Sequence, residues 1–177
     1  MPDDAPANIP LHPLVFETLA RTPRILRATL ANMPDDIVAA PDADGWSPKD
    51  VVAHLLSIHL AANVQRARLI LDNDDPVIPG VDEVATLESS GMRAWPLARL
   101  LDEYEAARDD ALSWLRPLND AQLARSGRHA IVGVITSADV LHHIAYHDEV
   151  HIKQIISMLA APLEVRRGAM RAAMPAD

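Results

Sequence analysis

The 177-residue chain carries a formal charge of −9, is 49% hydrophobic and 23% charged, and contains no cysteine. The acidic surplus argues against broad attachment to nucleic-acid phosphates or anionic lipid, and the lack of thiols excludes disulfides, thiolate nucleophiles and zinc–sulfur ligation. Any metal must therefore be held by nitrogen and oxygen.

Length and composition describe one domain over residues 1–177, with its core at about 14–160 and loose ends at 1–12 and 172–177. Three Trp, two Tyr and one Phe leave the core to aliphatic side chains, which suits packed helices. No stretch reaches the ~18 uninterrupted apolar residues of a membrane span. The acidic, proline-rich start MPDDAPANIP lacks the form of a secretory signal. The cytoplasm is the expected compartment.

A first helix is predicted over residues 14–33, with Thr22-Pro23 as N-cap and first turn of a restarted or kinked segment. Ser47, Pro48 and Asp50 make one of the firmest helix starts in the chain. The second helix then runs to about residue 71, with Val51, His54, Leu55, Ile58 and Ala62 on its inner side. His59, rotated ~140° from His54, is expected at or near the surface. Residues 72–91 read as a long connection with one short turn near 83–87, long enough to return along a ~35 Å helix and leave its neighbours roughly parallel.

Trp95-Pro96 opens a third helix ending near Pro117, whose acids and arginines read as a solvated face. Residues 128–136, including HAIVGVIT, are expected to be an apolar loop reaching across one end of the bundle. Ser137 is the predicted cap of the fourth helix, Pro162 its stop, and residues 164–173 a terminal helix. The resulting class is all-α: a four-helix bundle with a long crossover between helices 2 and 3.

The fourth helix sets His143, His147 and His151 at four-residue intervals, within an ~80° sector shared with Val140, Ile144, Ile155 and Met158. A histidine pair at i, i+4 can give a metal two nitrogens from one helix. If the second and fourth helices are neighbours, His54 could join His147 and His151 at one point; otherwise they are separate core histidines. His143 could be a fourth nitrogen, a supporting donor or a pocket acid/base, and Gln154 could hydrogen-bond within the site. Asp148, ~100° from His147, is better placed to pair with a cation or support a neighbouring helix. Trp46 packs the start of the second helix. His12, His129 and His142 read as surface or loop residues, with His129 able to approach the open end of the site.

The segments Gly45-Trp46-Ser47-Pro48-Lys49-Asp50-Val51-Val52-Ala53-His54-Leu55 and His143-Ile144-Ala145-Tyr146-His147-Asp148-Glu149-Val150-His151-Ile152-Lys153-Gln154-Ile155 resemble the DinB-like, or DinB/YfiT-like, family of metalloenzymes. The likeness runs from roughly residue 14 to 160. It implies a four-helix bundle holding one divalent ion per chain (zinc, nickel, iron or manganese) on His54, His147 and His151, with no separate organic cofactor. It also implies a small-molecule substrate, and a homodimer is common in the family. The leading expectation is a metal-dependent transferase or isomerase that uses a low-molecular-weight thiol. The alternatives are a stress-associated metal binder without turnover, or a metal-free helical interaction module.

Overall fold

The computed structural model describes residues 9–173. The loose ends expected at 1–12 and 172–177 fall mostly outside them. Four long helical segments carry the fold: α1 (Leu14–Leu30); α3 (Pro48–Ile58) continuing through a π turn (His59–Asn63) into α4 (Val64–Asp72); α6 (Leu97–Leu115); and α8 (Ser137–Glu164). One-turn helices α2 (Asp35–Val38) and α7 (Asp120–Leu123) sit in the connections. No helix among the described residues is long and apolar enough to cross a membrane.

The expectation of an all-α protein is corrected by a three-stranded sheet. Residues 128–136 are not a plain loop: β2 (Ser126–His129) and β3 (Gly133–Thr136) form an antiparallel hairpin, and β1 (Val77–Ile78) adds in parallel to β2. Each strand is at most four residues, too short for a two-residue period to stand out. β1 comes from a segment some fifty residues away. Buried Gly127 in β2 has no room for a side chain: a Cβ there would lie 2.9 Å from both Ile78 Cδ1 and the Pro76 carbonyl oxygen.

Several boundaries also differ. Thr22-Pro23 does not restart α1, which continues through it; the Thr22 hydroxyl donates back to the Thr18 carbonyl at 2.8 Å. Ser47 does cap α3, in a reciprocal box with Asp50, a device worth about 1 kcal/mol. The corresponding box on α8 belongs to Thr136 with Asp139, one residue before the predicted Ser137 cap. Pro162 lies within the last turn of α8, which continues to Glu164, and residues 168–173 form a 3-10 turn instead of an α-helix. The short turn expected near 83–87 is a full helix, α5 (Glu83–Ser90), closed by Gly91 in the left-handed conformation and followed by a 3-10 turn, Met92–Ala94.

The core comprises two apolar clusters separated along the bundle. One gathers Leu26, Leu30, Val52, Leu56, Leu87, Leu101 and Ile155; the other gathers Val15, Leu19, Ile70, Leu112, Leu115, Leu141 and Ile144. Each long segment also places buried polar residues between the two clusters: Thr22, then Ser57, His59 and Asn63, then Arg108, and Asp148. The chain passes from the first cluster to the second along both α3–α4 and α6, and in the opposite sense along α1 and α8.

This polar layer overturns two expectations. His59 is not at the surface. Residues 51–59 are all buried, because α5 and the 3-10 turn after it pack on α3 in addition to α6 and α8. The α6 face is not wholly solvated either: Arg108 is buried, donating to Asp148 Oδ1 at 3.0 Å and to the Tyr104 hydroxyl, which itself donates to Asp148 at 3.0 Å.

Candidate metal centre

Two helices bring the inner histidines together. The Ser47 box fixes where α3 begins, and His54 follows on its buried face. The four-residue spacing on α8 stacks His147 and His151 one turn apart. His147 Nε2 lies 3.3 Å from His54 Nε2 and 3.2 Å from His151 Nε2, and nitrogens of all three rings fall within 4.8 Å of one another. Nitrogens bound at ~2.0–2.1 Å to a tetrahedral ion would stand ~3.3–3.4 Å apart, close to both separations from His147.

The surroundings favour the neutral form of the His54 and His151 rings. Burial, followed by the neighbouring His151 and His147, lowers the His54 pKa to about 4. His151 is lowered too, first by burial and then by His147. Its Nδ1–H donates to Gln154 Oε1 at 2.7 Å, which leaves the Nε2 lone pair directed to the shared point. Trp46 sets its ring edge-on to His54, centroids 5.6 Å apart, under the guanidinium of Arg93.

A carboxylate completes the constellation. Glu83, the first residue of α5, places Oε2 at 3.5 Å from His54 Nε2 and 3.9 Å from His147 Nε2. The adjacent His147 ring, with further help from His54 and His151, holds its pKa down to about 2 against the opposing effect of burial. The sequence reading missed Glu83. Its only local mark is the Asp82 cap, and its place beside the histidines is set by how the connection packs on α3.

The remaining candidates separate. His143 is exposed, its ring 5.9 Å from that of His147, and it lines an adjoining cavity together with His129. Asp148 turns away from the triad to Arg108 and Tyr104. His12 and His142 meet near the surface, where the His12 amide donates to His142 Nε2 at 3.0 Å. Among the described residues, His54, His147 and His151 are the group that could hold a metal.

Fold and site together define a helical-bundle protein with three imidazoles converging from two helices onto one point. The chain belongs to the DinB superfamily, whose model matches residues 18–155. A protein of Oceanobacillus iheyensis, provisionally named a metal-dependent hydrolase, is 26% identical over 137 residues, covering 77% of this chain and 78% of its own. The structure of YfiT from Bacillus subtilis is similar with a TM-score of 0.75 and 25% identity, covering 84% of this chain and 85% of the other. YfiT is described, again provisionally, as a metal-dependent hydrolase with an unusual four-helix bundle topology.

Proposed function

We propose that the chain is a metal-dependent hydrolase of a small molecule, binding one divalent ion through Nε2 of His54, His147 and His151 with a further coordination position open. The observation that carries this is the 3.2 and 3.3 Å spacing of three ring nitrogens, one on a buried and two on half-buried histidines, at a common point. The names of the relatives support hydrolysis over transfer to a thiol. The long crossover, residues 73–96, supplies the acid that such chemistry needs.

A bound ion supplies Lewis acidity, polarising a substrate oxygen and lowering the pKa of water. The chain's own residues do the rest. Gln154 fixes the His151 tautomer through Nδ1. Glu83, ionised and 3.5 Å from His54 Nε2, accepts a proton from water at Oε2 and returns it to the leaving group. Burial of His54 behind Trp46 keeps its ring in place.

The test begins with untagged protein. Metal analysis should find about one zinc, nickel, iron or manganese ion per chain, and none in His147→Ala. The loaded protein is then screened with small esters and amides, and separately with electrophiles plus low-molecular-weight thiols. Metal-dependent release of acid supports the proposal. Metal-dependent conjugation of thiol without hydrolysis overturns it in favour of a transferase, and a metal-free wild type that zinc does not stabilise overturns the metal centre.

A further inference from the structure

Beside the triad lies a cavity of about 370 Å³, a size suited to small molecules. Glu83 and His143 line it and connect it to the histidine centre. Val132, Ile135 and Val140 form its apolar wall, and Arg66, His129 and Asp139 supply its other polar groups.

The polar groups differ in what they have left to offer. Asp139 Oδ2 is committed to the Thr136 amide and hydroxyl, each at 2.8 Å. His129 Nδ1 accepts from the amides of Ile131 and Val132, at 3.2 and 3.4 Å. Its neutral ring therefore carries the proton on Nε2 and is a donor. Arg66 keeps a donor to offer: its Nε is buried without a hydrogen-bond partner among the described residues, although its charge also feels the Glu83 carboxylate.

The π turn explains how Arg66 reaches this wall. Twelve residues separate it from His54, ~120° around an unbroken α-helix. The Val64 amide bonds to the His59 carbonyl, five residues back. Such a turn inserts one residue and removes ~100°, bringing Arg66 to within ~20° of the His54 direction. Helical irregularities of this kind concentrate at functional sites.

We propose that the cavity binds the carboxylate of a small, otherwise apolar substrate, with Arg66 as its anchor and His129 as a second donor. The aliphatic part lies against Val132, Ile135 and Val140, which leaves the scissile end at the histidine centre. Glu83 and Asp139 also line the pocket, and they oppose a dianion such as a phosphate ester more strongly than a monocarboxylate held by Arg66. The assignment of the far end rests on the hydrolase reading above, whereas capture of the carboxylate by Arg66 requires no metal.

The experiment is an NMR titration of the full chain, metal-free and zinc-loaded, with hexanoate, its neutral counterpart hexanamide, and hexyl phosphate. Hexanoate should bind metal-free wild type at least about tenfold more tightly than either comparator. Arg66→Gln should weaken hexanoate about tenfold to a hundredfold without changing hexanamide or zinc affinity. Val132→Glu, an exposed change on the wall, should weaken hexanoate selectively and keeps the test open if the arginine variant misfolds. Hexanoate binding that requires zinc and survives Arg66→Gln overturns the pocket while leaving the metal centre standing. Arg66-dependent binding in a protein that takes up no zinc upholds the pocket while the hydrolase reading falls. Tighter binding of hexyl phosphate overturns the carboxylate class.

Discussion

Gln154 shows how much of the proposed centre depends on a residue that would not touch the ion. Its Oε1, 2.7 Å from His151 Nδ1, fixes which nitrogen of that ring carries the proton, and losing such a partner typically weakens metal binding 10–100-fold. Gln154→Leu should therefore lower zinc affinity by about that factor in chelator competition while unfolding at an unchanged denaturant midpoint when metal-free. The Arg108–Asp148 pair is the opposite case, important for folding and absent from the proposed chemistry. Both partners are buried, so Arg108→Ala strands a carboxylate and should cost about 3–5 kcal/mol in urea unfolding. Replacing both by apolar residues should recover much of that loss. The inner histidines and Gln154 were legible because helical spacing alone puts His147, His151 and Gln154 near one face, and the Ser47 start puts His54 inward. Glu83, Arg66 and Arg108 were not, since each depends on what its helix packs against or on a phase change inside it.

At the level of elements, strong local chemistry was readable and weak local chemistry was not. Ser47-Pro48-Asp50 marks the start of α3 with three concordant signals, and the structure keeps it to the residue. The π turn carries no such mark: His59–Asn63 reads HLAAN, an ordinary helical sequence, and the extra residue is visible only through the bond from the Val64 amide to the His59 carbonyl. The sheet is hidden for a related reason, because β1 and β2 acquire their pairing from a contact between segments remote in sequence. Gly127 lies on that contact. Gly127→Ala would press a methyl group to 2.9 Å from the Pro76 carbonyl oxygen as well as from Ile78 Cδ1; the side chain can turn away but the backbone cannot. We expect a loss of about 1–3 kcal/mol, with early loss of amide-exchange protection in β1–β3 and little change at the Nε2 atoms of the triad.

Across the whole molecule, the polar layer between the two apolar clusters ties stability to pH. His59 lies in that layer, donating Nε2–H to the Ala107 carbonyl at 3.2 Å, with the Tyr104 ring edge-on at 6.1 Å. Its Nδ1 is buried without a partner among the described residues. Protonating Nδ1 would bury a cation near the charge of Arg108. Burial, then Arg108, therefore lowers its pKa to about 3, against a weaker upward pull from the Ala107 bond. In the unfolded chain the ring titrates near 6.5. Above that pH neither state holds the proton and the neutral ring's contribution is fully present. As pH falls below 6.5 the unfolded chain takes up a proton that the folded chain refuses until about 3, so stability declines across that window by about 1.4 kcal/mol per pH unit for this one group. His54, lowered to about 4 by burial first, acts with the same sign in metal-free protein. Urea unfolding of metal-free wild type should thus show stability falling from pH 6 to pH 4.5. In His59→Gln the slope should be shallower by about 1.4 kcal/mol per pH unit, because the variant has one proton fewer to gain on unfolding. An identical slope in the two proteins would mean that the folded state admits the proton, which is incompatible with a ring sealed between α3, α6 and the charge of Arg108.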